Sequence, residues 1–211
     1  MYLSPEAITA LLARHAIKGF LPAREAHALF EQAAQQARLG PLLEVGSYCG
    51  KSTVYLGYAA QTAEQIVFSV DHHLGSEEHQ LGEQYHDSEL FDAKTQRFDT
   101  LPAFRQTLHV CNIEKNIIPI VARSEQLANY WATPLAFIFI DGGHSVAQAK
   151  ADCLGWAKHL IVGGIMAIHD IFEHPKDGGQ APYWAMQAVI NEYSLQQVGR
   201  VDSLVFLQRL E

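Results

Sequence analysis

Cysteine is scarce. Cys49, Cys111 and Cys153 are scattered through the 211 residues and form no C-x-x-C pair. That excludes a disulfide scaffold and favours buried, reduced thiols in a cytoplasmic protein. Positive charge is in deficit as well, with Lys+Arg 15 against Asp+Glu 23 and a formal net charge of -8. An acidic chain without a basic run is not expected to take nucleic acid or an anionic membrane as its main partner. No apolar run approaches the ~20 residues that span a bilayer. The opening segment MYLSPEAITALLARHAIKGF has no cationic n-region and no small-residue cleavage site, so no secretory leader is expected. Repeats, low-complexity tracts and convincing linkers are missing too, and a single domain over residues 1–211 is expected. What is present is a folding composition, 48% apolar and 10% aromatic.

Residues 1–40 read as helices. Ser4 is an N-cap with Pro5 at N1, and Ile8, Leu11, Leu12 and His15 follow at helical spacing. Leu21 to Ala37 reads as a second helix, closed by Gly40 and Pro41. Beyond it the texture changes. PLLEVGS, QIVFSVD, IIPIVARS, LAFIFIDGG and GGIMAIHD are short apolar runs ending in small or ionisable residues. Helical patterns separate them, among them Val146, Ala149, Cys153, Trp156 and Leu160 on one face. Near-continuous apolar strands alternating with helices indicate a parallel sheet covered on both faces. YSLQQVG and SLVFLQRL add two strands joined by a turn at Arg200–Asp202. The expected fold class is α/β: a three-layer Rossmann-like sandwich with a seven-stranded, mostly parallel sheet, an antiparallel last strand and a helical N-terminal extension.

Residues 72–116 break the rhythm, because α/β connections usually hold ~2–6 loop residues besides a helix. Leu101, Phe104, Leu108 and Cys111 predict a helix in the second half of this insertion. The first half is polar and acidic and carries His72, His73, His79 and His86 beside Glu77, Glu78, Glu83 and Asp87. That spacing matches no standard metal-ligand pattern. A solvated loop or a substrate lid are the two readings.

Ligands of open α/β sheets bind at the carboxyl ends of the strands. The first such end, EVGSYCGKST, admits three readings. As a phosphate loop it is one residue short, since Gly46 and Gly50 enclose three residues where GxxxxGK[ST] needs four. As a dinucleotide fingerprint it fails at Tyr48, which stands where G-x-G requires glycine. As a nucleoside loop without a pyrophosphate it works. Gly46 allows the tight turn, the helix from Lys51 offers N–H groups and the Ser52 hydroxyl to a carboxylate, and Asp71 can accept from ribose hydroxyls. S-adenosylmethionine has that shape: a carboxylate, a ribose, a base and no phosphate.

LLEVGSYCGKST resembles the first motif of catechol-type O-methyltransferases, and FIFIDGGHS with GGIMAIHDI resembles a bacterial group with DGGHS and HD motifs. Over roughly residues 22–172 the sequence is thus similar to class I S-adenosylmethionine-dependent methyltransferases acting on small molecules. The resemblance implies a cofactor site from Glu44, Gly46, Ser47, Tyr48, Ser52, Asp71, Ser124 and Asp141. Within it, Gly46 and Tyr48 line the methionine part, Ser52 meets the carboxylate, Asp71 the ribose and Ser124 the adenine. Glu125 departs from the glutamine of the catechol enzymes. A divalent metal, magnesium or manganese, is implied at Asp141, His169 and Asp170, where the imidazole suits manganese better than magnesium. His144 falls at the position of the family's basic lysine.

Methyl transfer is an in-line displacement, and holding the reactants in line is worth ~7–11 kcal/mol. A hydroxyl acceptor must also lose a proton, and a positioned base contributes ~10²–10⁴-fold. His144 or His169 suits that role because imidazole titrates near neutrality. The expected function is therefore methyl transfer to a small-molecule hydroxyl. A phosphate-loop NTP-binding protein and a non-catalytic nucleoside-binding domain are the alternatives. The helical N-terminus is available as a surface for a homo-oligomer.

Overall fold

The computed structural model describes residues 3–76, 87–143 and 145–211. Two helices come first, α1 (Pro5–Arg14) and α2 (Ala23–Gln36). The Ser4 hydroxyl caps α1 by accepting from the Ala7 N–H. The α/β alternation then runs β1 (Leu42–Val45), α3 (Lys51–Gln61) and β2 (Val67–Asp71). After a long connection it resumes with β5 (Ile117–Val121), α5 (Ser124–Ala128), β6 (Leu135–Ile140), α6 (Val146–Ala157), β7 (Leu160–Ile168) and α7 (Ala181–Tyr193). A hairpin of β8 (Leu195–Val201) and β9 (Leu204–Arg209) ends the chain.

These strands form one seven-stranded sheet in the order β5-β2-β1-β6-β7-β9-β8. Five are mutually parallel, and β9 runs antiparallel to both neighbours. β1, with Leu42 to Val45 all buried, and β6, with Leu135 to Ile140 all buried, lie side by side at the centre. Consecutive strand residues point to opposite faces. Leu42, Phe137, Phe139, Ile165 and Ala167 pack against α1–α3 and α4 (Leu101–Val110). Leu43, Val45, Ile138, Ile140, Met166 and Ile168 pack beneath α5–α7. The result is the expected three-layer sandwich.

The segment between β2 and β5 contains α4, where the sequence predicts a helix. It also holds a two-stranded hairpin, β3 (Phe91–Asp92) with β4 (Arg97–Phe98), which the sequence reading missed. The last hairpin turns at Asp202 and Ser203, with Asp202 at φ 49°, one residue beyond the expected turn. Val146 is 39% exposed and Leu160 begins β7, so neither belongs to the core face of α6 to which the pattern assigned them. Tyr183 packs against the core from α7, whereas Trp184 is exposed. No helix among the described residues is long and apolar enough to cross a membrane.

Candidate cofactor crevice and acidic centre

β1 is the switch point of the sheet: its connections lead outward through β2 to β5 on one side and β6 to β7 on the other. A crevice opens there at the strands' carboxyl ends. The loop leaving β1 sets its shape. Gly46 sits at φ 85°, and a Cβ there would lie 2.1 Å from the Asp141 carbonyl oxygen. Only glycine lets the two strand ends approach this closely. Tyr48 also takes a positive φ, 47°, and its ring lies between Phe20 and Phe98 with centroids 5.3 and 6.4 Å away. α3 then starts at Lys51, and its first full-turn bond runs from the Val54 N–H to the Gly50 carbonyl.

Asp71, ending β2, holds that loop. Its Oδ2 accepts from the Ser47 and Tyr48 N–H groups at 2.9 Å each, and its Oδ1 accepts from the His73 N–H at 2.7 Å. The Ser47 hydroxyl also lies 3.5 Å from Oδ2, and Ser47 is buried. Beside Asp71, at the ends of β2 and β5, His72, His73, Leu74, Arg97, Leu101 and Val121 help to line a cavity of about 580 Å³.

Three residues expected at the cofactor have their side chains engaged within the fold. Glu44 is fully buried and accepts from the hydroxyls of Ser52, Thr53 and Ser69 at 2.6, 2.6 and 2.7 Å. It braces β1, α3 and β2 from beneath the loop and offers no surface to a ligand. Its burial pushes the carboxyl pKa up to about 7 despite those three donors, with the Asp141 charge adding to the rise. Ser52 donates its hydroxyl proton to Glu44 in this arrangement. The Ser124 hydroxyl accepts from Trp156 Nε1 at 2.7 Å and bonds to Asp152, so it too is engaged in the packing between α5 and α6. Lys51 opens α3. Its ammonium donates to the Gly19 carbonyl at 3.2 Å, tied to the N-terminal arm.

At the ends of β6 and β7 lies the acidic centre. Strand alternation turns Asp141 and His169 to the α2 side, because Ile140 and Ile168 before them face the other way. His169 Nδ1 is 3.0 Å from Asp141 Oδ1 and 3.6 Å from Asp170 Oδ2, and Asp170 has φ 56°. His169 Nε2 lies 2.8 Å from Glu25 Oε2, a residue of α2 that the sequence reading passed over. Burial opposes a charged His169, yet Asp141, Glu25 and Asp170 outweigh it and raise its pKa to about 11. Both ring nitrogens face carboxylates, which favour the protonated ring, and the residue is only 7% exposed.

The same atoms suit a cation. Donor atoms of Asp141, His169 and Asp170 all lie within 4.8 Å of one another. Ligands bound cis at ~2.1 Å stand about 3.0 Å apart, close to the Nδ1–Asp141 separation. A nitrogen facing two carboxylates needs a proton or a metal ion between them. His144 lies outside the described residues, as do His79, His86, Glu77, Glu78 and Glu83.

Solved structures share this architecture. A Podospora anserina methyltransferase bound to SAH matches with TM-score 0.70 at 12% identity, covering 98% of this chain and 88% of that one. The Bacillus cereus O-methyltransferase in complex with SAH matches with TM-score 0.60 at 14% identity, covering 98% and 90%. TomG, an O-methyltransferase from Streptomyces achromogenes in complex with SAM, matches with TM-score 0.62 at 10% identity, covering 99% and 90%. At those identities the likeness establishes the fold. The family itself comes from a sequence profile described as "Methyltransferase domain", which matches residues 43–171 and so spans the Gly46 loop, Asp71, Asp141 and His169. The chain belongs to that methyltransferase-domain family.

Proposed function

We propose that this protein transfers a methyl group from S-adenosylmethionine to a hydroxyl of a small molecule, with a divalent cation beside the acceptor. The observation that carries the reading is the grip of Asp71 on the Gly46–Tyr48 loop at the switch point, beside a centre of carboxylates. A sulfonium and an ammonium are cations, so this acidic mouth favours them. A polyphosphate would find Lys51 turned away and Asp71, Asp141 and Asp170 in its path. The solved relatives that carry SAM or SAH support the same choice.

S-adenosylmethionine supplies an electrophilic methyl group that the acceptor oxygen displaces in line. Gly46, Ser47 and Tyr48 shape the floor under the methionine end, and Asp71 fixes that floor, its Oδ1 keeping one acceptor site for a ribose hydroxyl. Glu44 stiffens the floor from below. Ser52 and Ser124 serve through their backbone, their hydroxyls being engaged elsewhere. Asp141, His169 and Asp170 would hold the cation, which lowers the pKa of a bound hydroxyl and fixes its geometry. An imidazole in the set favours manganese over magnesium. His144, three residues after Asp141, is our proposed acceptor base.

The test is S-adenosylhomocysteine production over a panel of phenolic and aliphatic hydroxyl acceptors with Mn²⁺ present. Turnover is expected with at least one class. His144→Ala should lower turnover ~10²-fold or more while S-adenosylhomocysteine affinity stays within twofold. Cofactor binding without turnover on any acceptor would instead make the protein a binding module.

A further inference from the structure

Glu25 lies on α2, outside the 43–171 span that defines the family, yet its carboxylate is 1% exposed and ends at the acidic centre. One oxygen is anchored by the β8–β9 turn: Oε1 accepts from the Ser203 N–H at 2.6 Å and from the Ser203 hydroxyl at 2.8 Å. The other, Oε2, stands 2.8 Å from His169 Nε2. A carboxylate only accepts, so Nε2 must carry a hydrogen, and the imidazole is left with Nδ1 turned toward Asp141 and Asp170. Helix α2, the end of β7 and the last hairpin thus converge on one ring.

We propose that Glu25 is a positioning residue that fixes the tautomer and orientation of His169, so that cation binding at Asp141, His169 and Asp170 depends on the N-terminal helix and the C-terminal hairpin. The inference rests on the metal-assisted reading above. Carboxylates that hold the far nitrogen of a ligating histidine typically set metal affinity by ~10–100-fold. Because Ser203 clamps the opposite oxygen, the distance from α2 to β7 is what the ring feels. Shortening the side chain by one methylene pulls the acceptor away without removing its charge. Replacing the carboxylate by an amide leaves one acceptor where two donors, His169 Nε2–H and the Ser203 N–H, each need one.

The experiment titrates the full chain with Co²⁺, reading the visible ligand-field bands and calorimetric affinity, and titrates S-adenosylhomocysteine in parallel. Wild type should bind one Co²⁺. Glu25→Asp should bind it at least tenfold more weakly with shifted bands, and Glu25→Gln, which must give up either the His169 or the Ser203 contact, should weaken it as well. S-adenosylhomocysteine affinity should change less than twofold in both, with cooperative melting retained. Co²⁺ affinity and bands unchanged from wild type in either variant overturn the inference, and so does a parallel loss of S-adenosylhomocysteine binding or of cooperative melting. Wild type that binds S-adenosylhomocysteine but no Co²⁺ overturns it while leaving methyl transfer intact. Binding of neither ligand means the functional reading itself has failed.

Discussion

Asp71 accepts three backbone N–H bonds at the carboxyl end of β2, so it shapes the loop before it meets any ligand. Asp71 is half-buried, so removing this acceptor leaves three backbone donors without their partner at a cost of about 1 kcal/mol or more. Asp71→Ala should therefore weaken S-adenosylhomocysteine binding more than tenfold by calorimetry and lower the melting temperature as well. An unchanged affinity would sink the ribose assignment. Glu44 gives a pH prediction. Its folded pKa is raised from 4.5 to about 7, so between those values the unfolded state ionises first. The native state then binds more protons, and the contribution of Glu44 to stability falls from pH 4.5 to 7 and is level above. Asp152, raised to about 6, adds a slope of the same sign. In urea unfolding at pH 5 and pH 7, Glu44→Gln should lose the Glu44 part of that slope and keep the Asp152 part. An identical slope in variant and wild type would mean Glu44 is ionised throughout.

At the scale of elements, the strands were legible because a parallel sheet covered on both faces demands unbroken apolar runs. LAFIFI, buried at every position of β6, could not be read otherwise. The two-residue strands β3 and β4 are too short to carry any periodicity, so the hairpin inside the insertion stayed hidden. Glu25 was missed for a different reason. In a helix rich in Glu and Gln it passes for one more surface acid, although Glu25, Leu29 and Ala33 share the buried face at four-residue spacing. A charge on an apolar helical face was the available signal. Asp152 sits the same way, beside Ala149, Cys153 and Trp156 on α6. The side-chain partners of Glu44, Ser52 and Ser124 within the fold were not legible, because a motif gives residue types and order, not which hydroxyl meets which acid. The seam between α5 and α6 is testable on its own. Trp156 is fully buried and donates to Ser124 at 2.7 Å, so Trp156→Phe should cost about 1–3 kcal/mol in a urea midpoint shift. A shift near zero would show the seam held by packing alone.

For the whole molecule, the family-matched core carries the crevice, while the flanking helices and hairpin reach back to its acidic centre through Glu25 and Ser203. The charge of the crevice decides between the ligands that such a sheet can bind. Carboxylates at Asp71, Asp141 and Asp170, with Lys51 tied to Gly19, suit a cationic sulfonium and repel a triphosphate. The central claim is therefore tested most directly by calorimetric titration of the purified chain with S-adenosylhomocysteine, ATP and NAD, each with and without a divalent metal. The account predicts micromolar binding of S-adenosylhomocysteine at one site per chain, with no ATP or NAD signal. Metal-dependent ATP binding without S-adenosylhomocysteine binding would contradict it and return the Gly46 loop to a phosphate-binding role.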